Sequence, residues 1–213
     1  MERKRLGLIV NPIAGIGGRV GLKGSDGLEV QERARSLGAV PLAGERAAAA
    51  LESLRPLAAR VELLTAPGEM GEAIARQSGF TPRVLSIPCA EASKTTADDT
   101  RQAARTMREL GADLILFAGG DGTARDMYAA IRNDFPVLGI PAGVKIHSAA
   151  YAVTPRSAGT LAVDFLNGRV RLRDAALQVA ERSVVDPQQP GDAVVVDHGD
   201  DLLCPFLIFL IFF

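Results

Sequence analysis

The chain has 213 residues, 47% apolar and 23% charged, a composition that suits an ordinary globular protein with room for one α/β domain and part of another. Its 24 Lys and Arg against 25 Asp and Glu leave a net charge of −1, which argues against nucleic acid as a partner, because counterion release needs an excess of cations. Two cysteines (Cys89, Cys204) lie far apart, which excludes a disulfide scaffold and a Cys-rich zinc site, and two histidines (His147, His198) are too few and too scattered to suggest a metalloenzyme with His ligands.

Leu6–Val10 (LGLIV) reads as a short, wholly apolar strand stopped by Asn11-Pro12. It is too short for the apolar core of a signal peptide, so a cytoplasmic location is expected. A glycine-rich loop runs from Gly15 to Gly27, and residues 28–37 and 45–55 have helical composition, Ala47–Ala50 most strongly. Val61–Leu64 reads as a strand closed by Pro67-Gly68, Glu69–Gln77 as a short helix, and Val84–Ile87 as a strand stopped by Pro88. Thr95 or Thr96, with Asp98 and Asp99, supplies a cap and an acidic first turn. The helix it starts carries Ala103, Ala104, Met107 and Leu110 on one face and ends at Gly111. Leu114–Phe117 (LILF) is a buried strand, followed by a glycine loop and a helix with Met127, Tyr128 and Ile131 on one side. Val137–Ile140 is another strand. Thr154 caps a helix with Pro155 at its first position and Asn167-Gly168 at its end.

Wholly apolar strands separated by helices predict a doubly wound parallel sheet over residues 5–168, with the strands that begin at 6, 114 and 137 central. After Gly168 the pattern changes. Val170–Arg173 alternates, and Ala193–Val196 offers a partner across the turn-rich stretch 186–192. Residues 169–201 are therefore expected to begin an antiparallel, incomplete all-β domain. Residues 202–213 (LLCPFLIFLIFF) hold four of the eight Phe. The run is too short for a bilayer, which needs about 17–25 residues. It reads as a strand for a partner domain or as a non-native tail of an interrupted reading frame, poorly packed in either case.

The chemistry lies in the loops that follow strands. Gly119-Gly120-Asp121-Gly122-Thr123 follows LILF and precedes a helix. Ligands of open parallel sheets bind at the carboxyl ends of strands. Glycines there let the backbone approach a phosphate chain, and the amides of the following helix supply positive potential. A carboxylate in such a cradle repels phosphate unless it holds Mg²⁺ or takes a proton from an attacking hydroxyl. The structural alternative is a tight glycine turn with a helix-capping Asp. A second loop, Asn11-Pro12-Ile13-Ala14-Gly15-Ile16-Gly17-Gly18, is neither a Walker A loop nor a dinucleotide fingerprint: Lys23 follows Leu22, and Val20 stands where a third glycine belongs. A third, from Gly139 to Ser148, offers Lys145 as a cation, His147 as a proton carrier or a structural histidine, and Ser148 as a hydroxyl.

GGDGT after a strand resembles the superfamily of NAD kinases, diacylglycerol and sphingosine kinases and 6-phosphofructokinases. NPIAGIGG is similar to the Asn-Pro-x-Ser/Ala-Gly loop of NAD kinases and lipid kinases. GLKGSDG, GGDGTARD and IPAGVKIHSAAYAVTP together resemble most the ATP-NAD kinase branch that includes the acetoin-catabolism AcoX-like proteins. The likeness covers roughly residues 5–180. It implies a Rossmann-like domain before an all-β domain, with the active site between them. It implies phosphorylation by Mg-ATP of the adenosine ribose 2′-hydroxyl of NAD⁺, giving NADP⁺, with Mg²⁺ carried on the nucleotide, and a homo-oligomer for a full-length chain.

By the same likeness Asp121 is the base or hydroxyl-orienting residue, and Gly119, Gly120, Gly122 and Thr123 form the phosphate loop. Asn11 and Gly15 belong to the first nucleotide loop. The residue types of the third loop, and not the likeness, make Lys145, His147 and Ser148 substrate-binding candidates. The Asn-Glu pair that follows GGDGT in many NAD kinases has no clear match; Asn133-Asp134 is the nearest. The other readings are a related kinase of a lipid or small hydroxyl compound, and a non-catalytic nucleotide-binding protein or inactive fragment. PAGVK, where lipid kinases carry Pro-x-Gly-Thr-x-Asn-Asp, argues against a lipid acceptor.

Overall fold

The computed structural model describes residues 3–16, 32–33, 36–88, 95–132, 135–143, 146, 150–174, 194–197 and 209–210. The helical stretch expected over 28–37 lies largely outside them, as do the turn-rich stretch 186–192, both cysteines and both histidines.

Five strands form one parallel sheet: β1 (Lys4–Val10), β2 (Val61–Thr65), β3 (Arg83–Val84), β4 (Leu114–Gly119) and β5 (Val137–Pro141). Their order is β3-β2-β1-β4-β5. Leu6, Leu8, Val10, Leu114, Leu116, Leu138 and Ile140 pack on one face; Ile9, Ile115, Phe117 and Val137 pack on the other. Both faces are covered, which is why the strands read as unbroken apolar runs and not as alternating ones. On the first face lie α1 (Ala43–Leu54), α2 (Glu72–Gln77) and α5 (Pro155–Leu166); on the second lie α3 (Ala97–Glu109) and α4 (Asp121–Ile131). The chain winds from β1 outward to β3, then crosses to β4 and winds the other way. The doubly wound α/β class read from the sequence is the observed one.

Local chemistry sets the helix boundaries. Thr96, not Thr95, caps α3: the Asp99 carboxylate accepts the Thr96 N–H at 2.8 Å while the Thr96 hydroxyl accepts the Asp99 N–H at 3.4 Å. Thr154 and Ser157 make the same reciprocal pair at the start of α5, with Pro155 in its first turn. Gly159 lets α5 lie directly on α1, since a Cβ there would strike the Ala50 carbonyl oxygen. Arg101 of α3 reaches Asp126 of α4 at 2.7 Å and ties the second layer together.

Three expectations need correction. The helix expected over 69–77 is split into a 3-10 turn (Gly68–Met70) and α2, because Gly71 breaks it at φ 146°. The strand expected over 84–87 is only Arg83–Val84: Val84 pairs with Thr65, where β2 ends, so Ser86 has no ladder partner. β5 is not central but outermost on its side. It reads as a buried strand because residues 150–152 lie along its outer edge. There the Gly139 N–H donates to the Ala150 carbonyl at 2.6 Å, and the Gly139 carbonyl accepts the Ala152 N–H at 3.0 Å. This short segment shields the edge that an outer strand otherwise exposes.

A separate antiparallel sheet holds β6 (Arg171–Asp174), β7 (Val194–Asp197) and β8 (Phe209–Leu210) in the order β6-β7-β8. The pairing expected between these two stretches is seen between Arg171–Asp174 and Val194–Asp197, with Arg171 opposite Asp197. Phe209 and Leu210 of the apolar run pair with Val195 and Val194. Among the described residues no helix is long and apolar enough to cross a membrane.

Candidate functional site

The winding reverses between β1 and β4, and a doubly wound sheet opens a crevice at that point, beyond the carboxyl ends of its strands. The register brings three loops to the same level there. Val10 lies beside Ala118, and Gly119 beside Pro141. The loops after β1, β4 and β5 therefore leave the sheet side by side.

Each loop is locked to the other two. Asn11 donates its backbone N–H to the Ala118 carbonyl at 2.9 Å. Its side-chain Nδ2 donates to Thr123 Oγ1 at 3.0 Å, and its Oδ1 accepts the Ile13 N–H at 3.2 Å. Gly15 sits at φ 79°, a left-handed conformation that glycine adopts without strain. A Cβ on Gly15 would run into the Ala142 carbonyl oxygen, so the first loop touches the third backbone to backbone. The Gly119 carbonyl accepts the Ala142 N–H at 3.0 Å. A Cβ built on Gly143 would stand 3.5 Å from the Gly120 Cα.

The second loop is the centre of the arrangement. Gly120, at φ −123°, is the residue before α4, and no side chain caps that helix. Asp121 is the first helical residue, so the reading of Asp121 as a side-chain cap does not hold. The first intrahelical bond runs from the Ala124 N–H to the Gly120 carbonyl. The N–H groups of Asp121, Gly122 and Thr123 lie ahead of it, in the turn whose donors lack intrahelical acceptors. They form the positive end of the helix dipole. Asp121 and Gly122 are half-buried, whereas Arg125 is exposed. Thr123 is only 3% exposed and turns its hydroxyl inward to Asn11. Gly119 makes room for it, since a Cβ there would collide with the Thr123 side chain. The Thr123 side chain thus braces the loops, while its backbone N–H lies in the first turn of α4.

Composition and motif did not single out Tyr151. It follows β5 and is 9% exposed. Its hydroxyl donates to the Gly120 carbonyl at 2.6 Å. Its ring meets Phe117 edge to face, with centroids 5.2 Å apart and planes at 65°, and lies over Gly139, where a Cβ would collide with it. Burial first, and the nearby Asp121 charge second, push the hydroxyl far above the usual tyrosine value, so it stays a donor.

The structure therefore brings Asn11, Gly15, Gly119, Gly120, Asp121, Gly122 and Thr123 to one edge of the sheet. Lys145, His147 and Ser148 lie outside the described residues, as does the pair Asn133-Asp134. Among the described residues no group of three His, Cys, Asp or Glu side chains could hold a metal ion.

A family model described as the ATP-NAD kinase N-terminal domain matches residues 6–170. No curated protein matches the sequence. The match covers most of the chain and all three loops as far as they are described: the chain belongs to the ATP-NAD kinase N-terminal domain family.

Proposed function

We propose that this chain transfers the γ-phosphoryl group of Mg-ATP to the adenosine ribose 2′-hydroxyl of NAD⁺. One observation carries the reading: a carboxylate and a row of backbone donors stand together at the winding reversal, on a chain of the NAD kinase family. The donors suit the phosphate chain. Asp121, the first residue of α4, suits the acceptor hydroxyl. In the reaction the 2′-oxygen forms a bond to the γ-phosphorus and the bond from that phosphorus to the β,γ-bridging oxygen breaks. The hydroxyl proton passes to the Asp121 carboxylate, and ADP leaves. Transfer of this kind has a loose transition state and depends on positioning and charge neutralisation more than on covalent catalysis. Loops braced against one another supply the positioning.

Magnesium would arrive on the nucleotide's own phosphates and neutralise charge there. Among the described site residues Asp121 supplies the carboxylate that would help to hold that ion.

The test incubates the chain with Mg-ATP and NAD⁺ and reads NADP⁺ with an NADP-specific dehydrogenase. NADP⁺ formation is expected. Binding of Mg-ATP without product would point to another hydroxyl acceptor, and failure to bind Mg-ATP would remove the kinase reading.

A further inference from the structure

The Gly120 carbonyl accepts two hydrogen bonds. One comes from the Ala124 N–H at 3.1 Å and opens α4. The other comes from the Tyr151 hydroxyl at 2.6 Å. A carbonyl oxygen has two lone pairs and can hold both at once.

This carbonyl belongs to the planar trans peptide that joins Gly120 to Asp121. In such a unit the C=O and the N–H point opposite ways. Whatever fixes the Gly120 carbonyl also fixes the Asp121 N–H, and aims it out of the helix start, away from the buried tyrosine. The backbone itself offers little resistance to rotation here. Rotation of this peptide turns on the Gly120 ψ and Asp121 φ torsions, and Gly120 lacks the Cβ that restricts the first. The first bond of a helix is also the one that frays most readily.

The tyrosine is well held. Its neighbours Ala150 and Ala152 are bonded to Gly139 on β5, and its ring is fixed between Gly139 and Phe117. The hydroxyl thus reports the position of β5 to the start of α4, joining the third strand-end to the second.

We infer that Tyr151 is a positioning residue: its hydroxyl locks the Gly120–Asp121 peptide with the Asp121 N–H turned outward to receive a phosphate oxygen of the nucleotide. The inference rests on the nucleotide reading above for its ligand, but the lock itself is a property of the free protein.

Tyr151→Phe keeps the ring and removes only the hydroxyl. The full chain and this variant are titrated with Mg-ATP and with adenosine by calorimetry. The Asp121 and Gly122 amides are followed by ¹⁵N relaxation dispersion without ligand. Loss of one aligned donor is expected to weaken Mg-ATP about five- to tenfold and to leave adenosine unchanged. The Asp121 amide is expected to gain exchange on the microsecond-to-millisecond scale. A tyrosine that only fills the core would lower the melting temperature and move neither readout. Unchanged Mg-ATP affinity, or an equal loss for adenosine and Mg-ATP, overturns the inference. If the parent chain binds no Mg-ATP, the nucleotide reading fails by itself and the amides decide the rest. Exchange that appears only in the Phe variant supports the lock, and quiet amides in both proteins overturn it.

Discussion

The hydrogen bond from Asn11 Nδ2 to Thr123 Oγ1 spans 112 residues of sequence and bridges the winding reversal. Its length of 3.0 Å is ordinary, it is partly buried, and Thr123 is 3% exposed, so water competes poorly for it. Thr123→Val removes the hydroxyl with little change of shape and leaves the Asn11 amide short of an acceptor, at a cost of about 1–2 kcal/mol. Asn11→Ala removes the same bond and also the Oδ1 that accepts the Ile13 N–H at 3.2 Å, for a cost of about 1–3 kcal/mol. The double variant loses the shared bond only once. Its cost is expected to fall short of the sum of the singles by about 0.5–1.5 kcal/mol. Urea unfolding of the four proteins, with equal slopes, measures the shortfall. The two singles are also expected to weaken Mg-ATP binding, since each frees one loop from the other. Costs that add to within about 0.3 kcal/mol would show that the two side chains are not coupled, and the picture of loops braced across the crevice would fall with them.

Three further outcomes are expected. Asp121→Asn is expected to lower turnover by about 10²–10⁴ while changing stability by no more than about 1 kcal/mol; full turnover in a steady-state assay would remove its role as base. Gly120→Ala is expected to fold normally, because φ −123° suits alanine and the nearest atom to the added Cβ is the Gly143 Cα at 3.9 Å. The methyl group would stand in the crevice and weaken Mg-ATP about tenfold, and unchanged affinity in calorimetry would place the phosphates elsewhere. Glu62 accepts hydrogen bonds from Arg5 at 2.9 Å and Arg83 at 3.4 Å, which hold its carboxyl below the ordinary value of 4.5. A lowered folded value stabilises above 4.5 and is lost as pH falls through it. The stability gap between parent and Glu62→Gln, read from urea midpoints, is therefore expected to narrow below pH 4.5, and a gap independent of pH would contradict the pairing.

Much of the fold is legible in the sequence because its causes are local. LILF and LGLIV are apolar throughout, and only a strand covered on both faces needs that. Thr96 with Asp99, and Thr154 with Pro155 and Ser157, announce helix starts through bonds made within four residues. Glycine runs after strands mark where a backbone must be approached closely. Strand order is a different matter. β5 carries the same apolar signature as β4, yet it is outermost, and its cover comes from three residues that follow the third loop. Nothing in Ala150-Tyr151-Ala152 distinguishes an edge cover from an ordinary turn. Tyr151 was illegible for the same reason: its partner Gly120 is 31 residues away, and its ring site depends on the absent Cβ of Gly139. The glycines of GGDGT and VLGIP were visible, but the sequence does not say that Gly119 clears space for a threonine and Gly139 for a tyrosine.

Two readings of Asp121 competed in the sequence, and the geometry bears on one of them, the helix cap. A capping carboxylate belongs at the residue before the helix, with its oxygen on a backbone N–H two or three residues ahead. Here Gly120 occupies that place and no side chain caps the helix. Leaving the cap to a glycine forgoes a bond that Asn, Asp or Ser would supply, a loss of a few tenths of a kcal/mol. Gly120 itself therefore puts no side chain over the first-turn amides of α4. Asp121 stands one position later, in the first turn of α4, where a negative side chain is favourably placed against the helix dipole. In the proposed reading, a carboxylate beside first-turn amides suits a ligand with two ends of different demand: phosphate oxygens for the amides, and a hydroxyl that must give up its proton for Asp121. A site for phosphate alone has no use for the carboxylate, and a site for the hydroxyl alone has no use for the donors of the helix start.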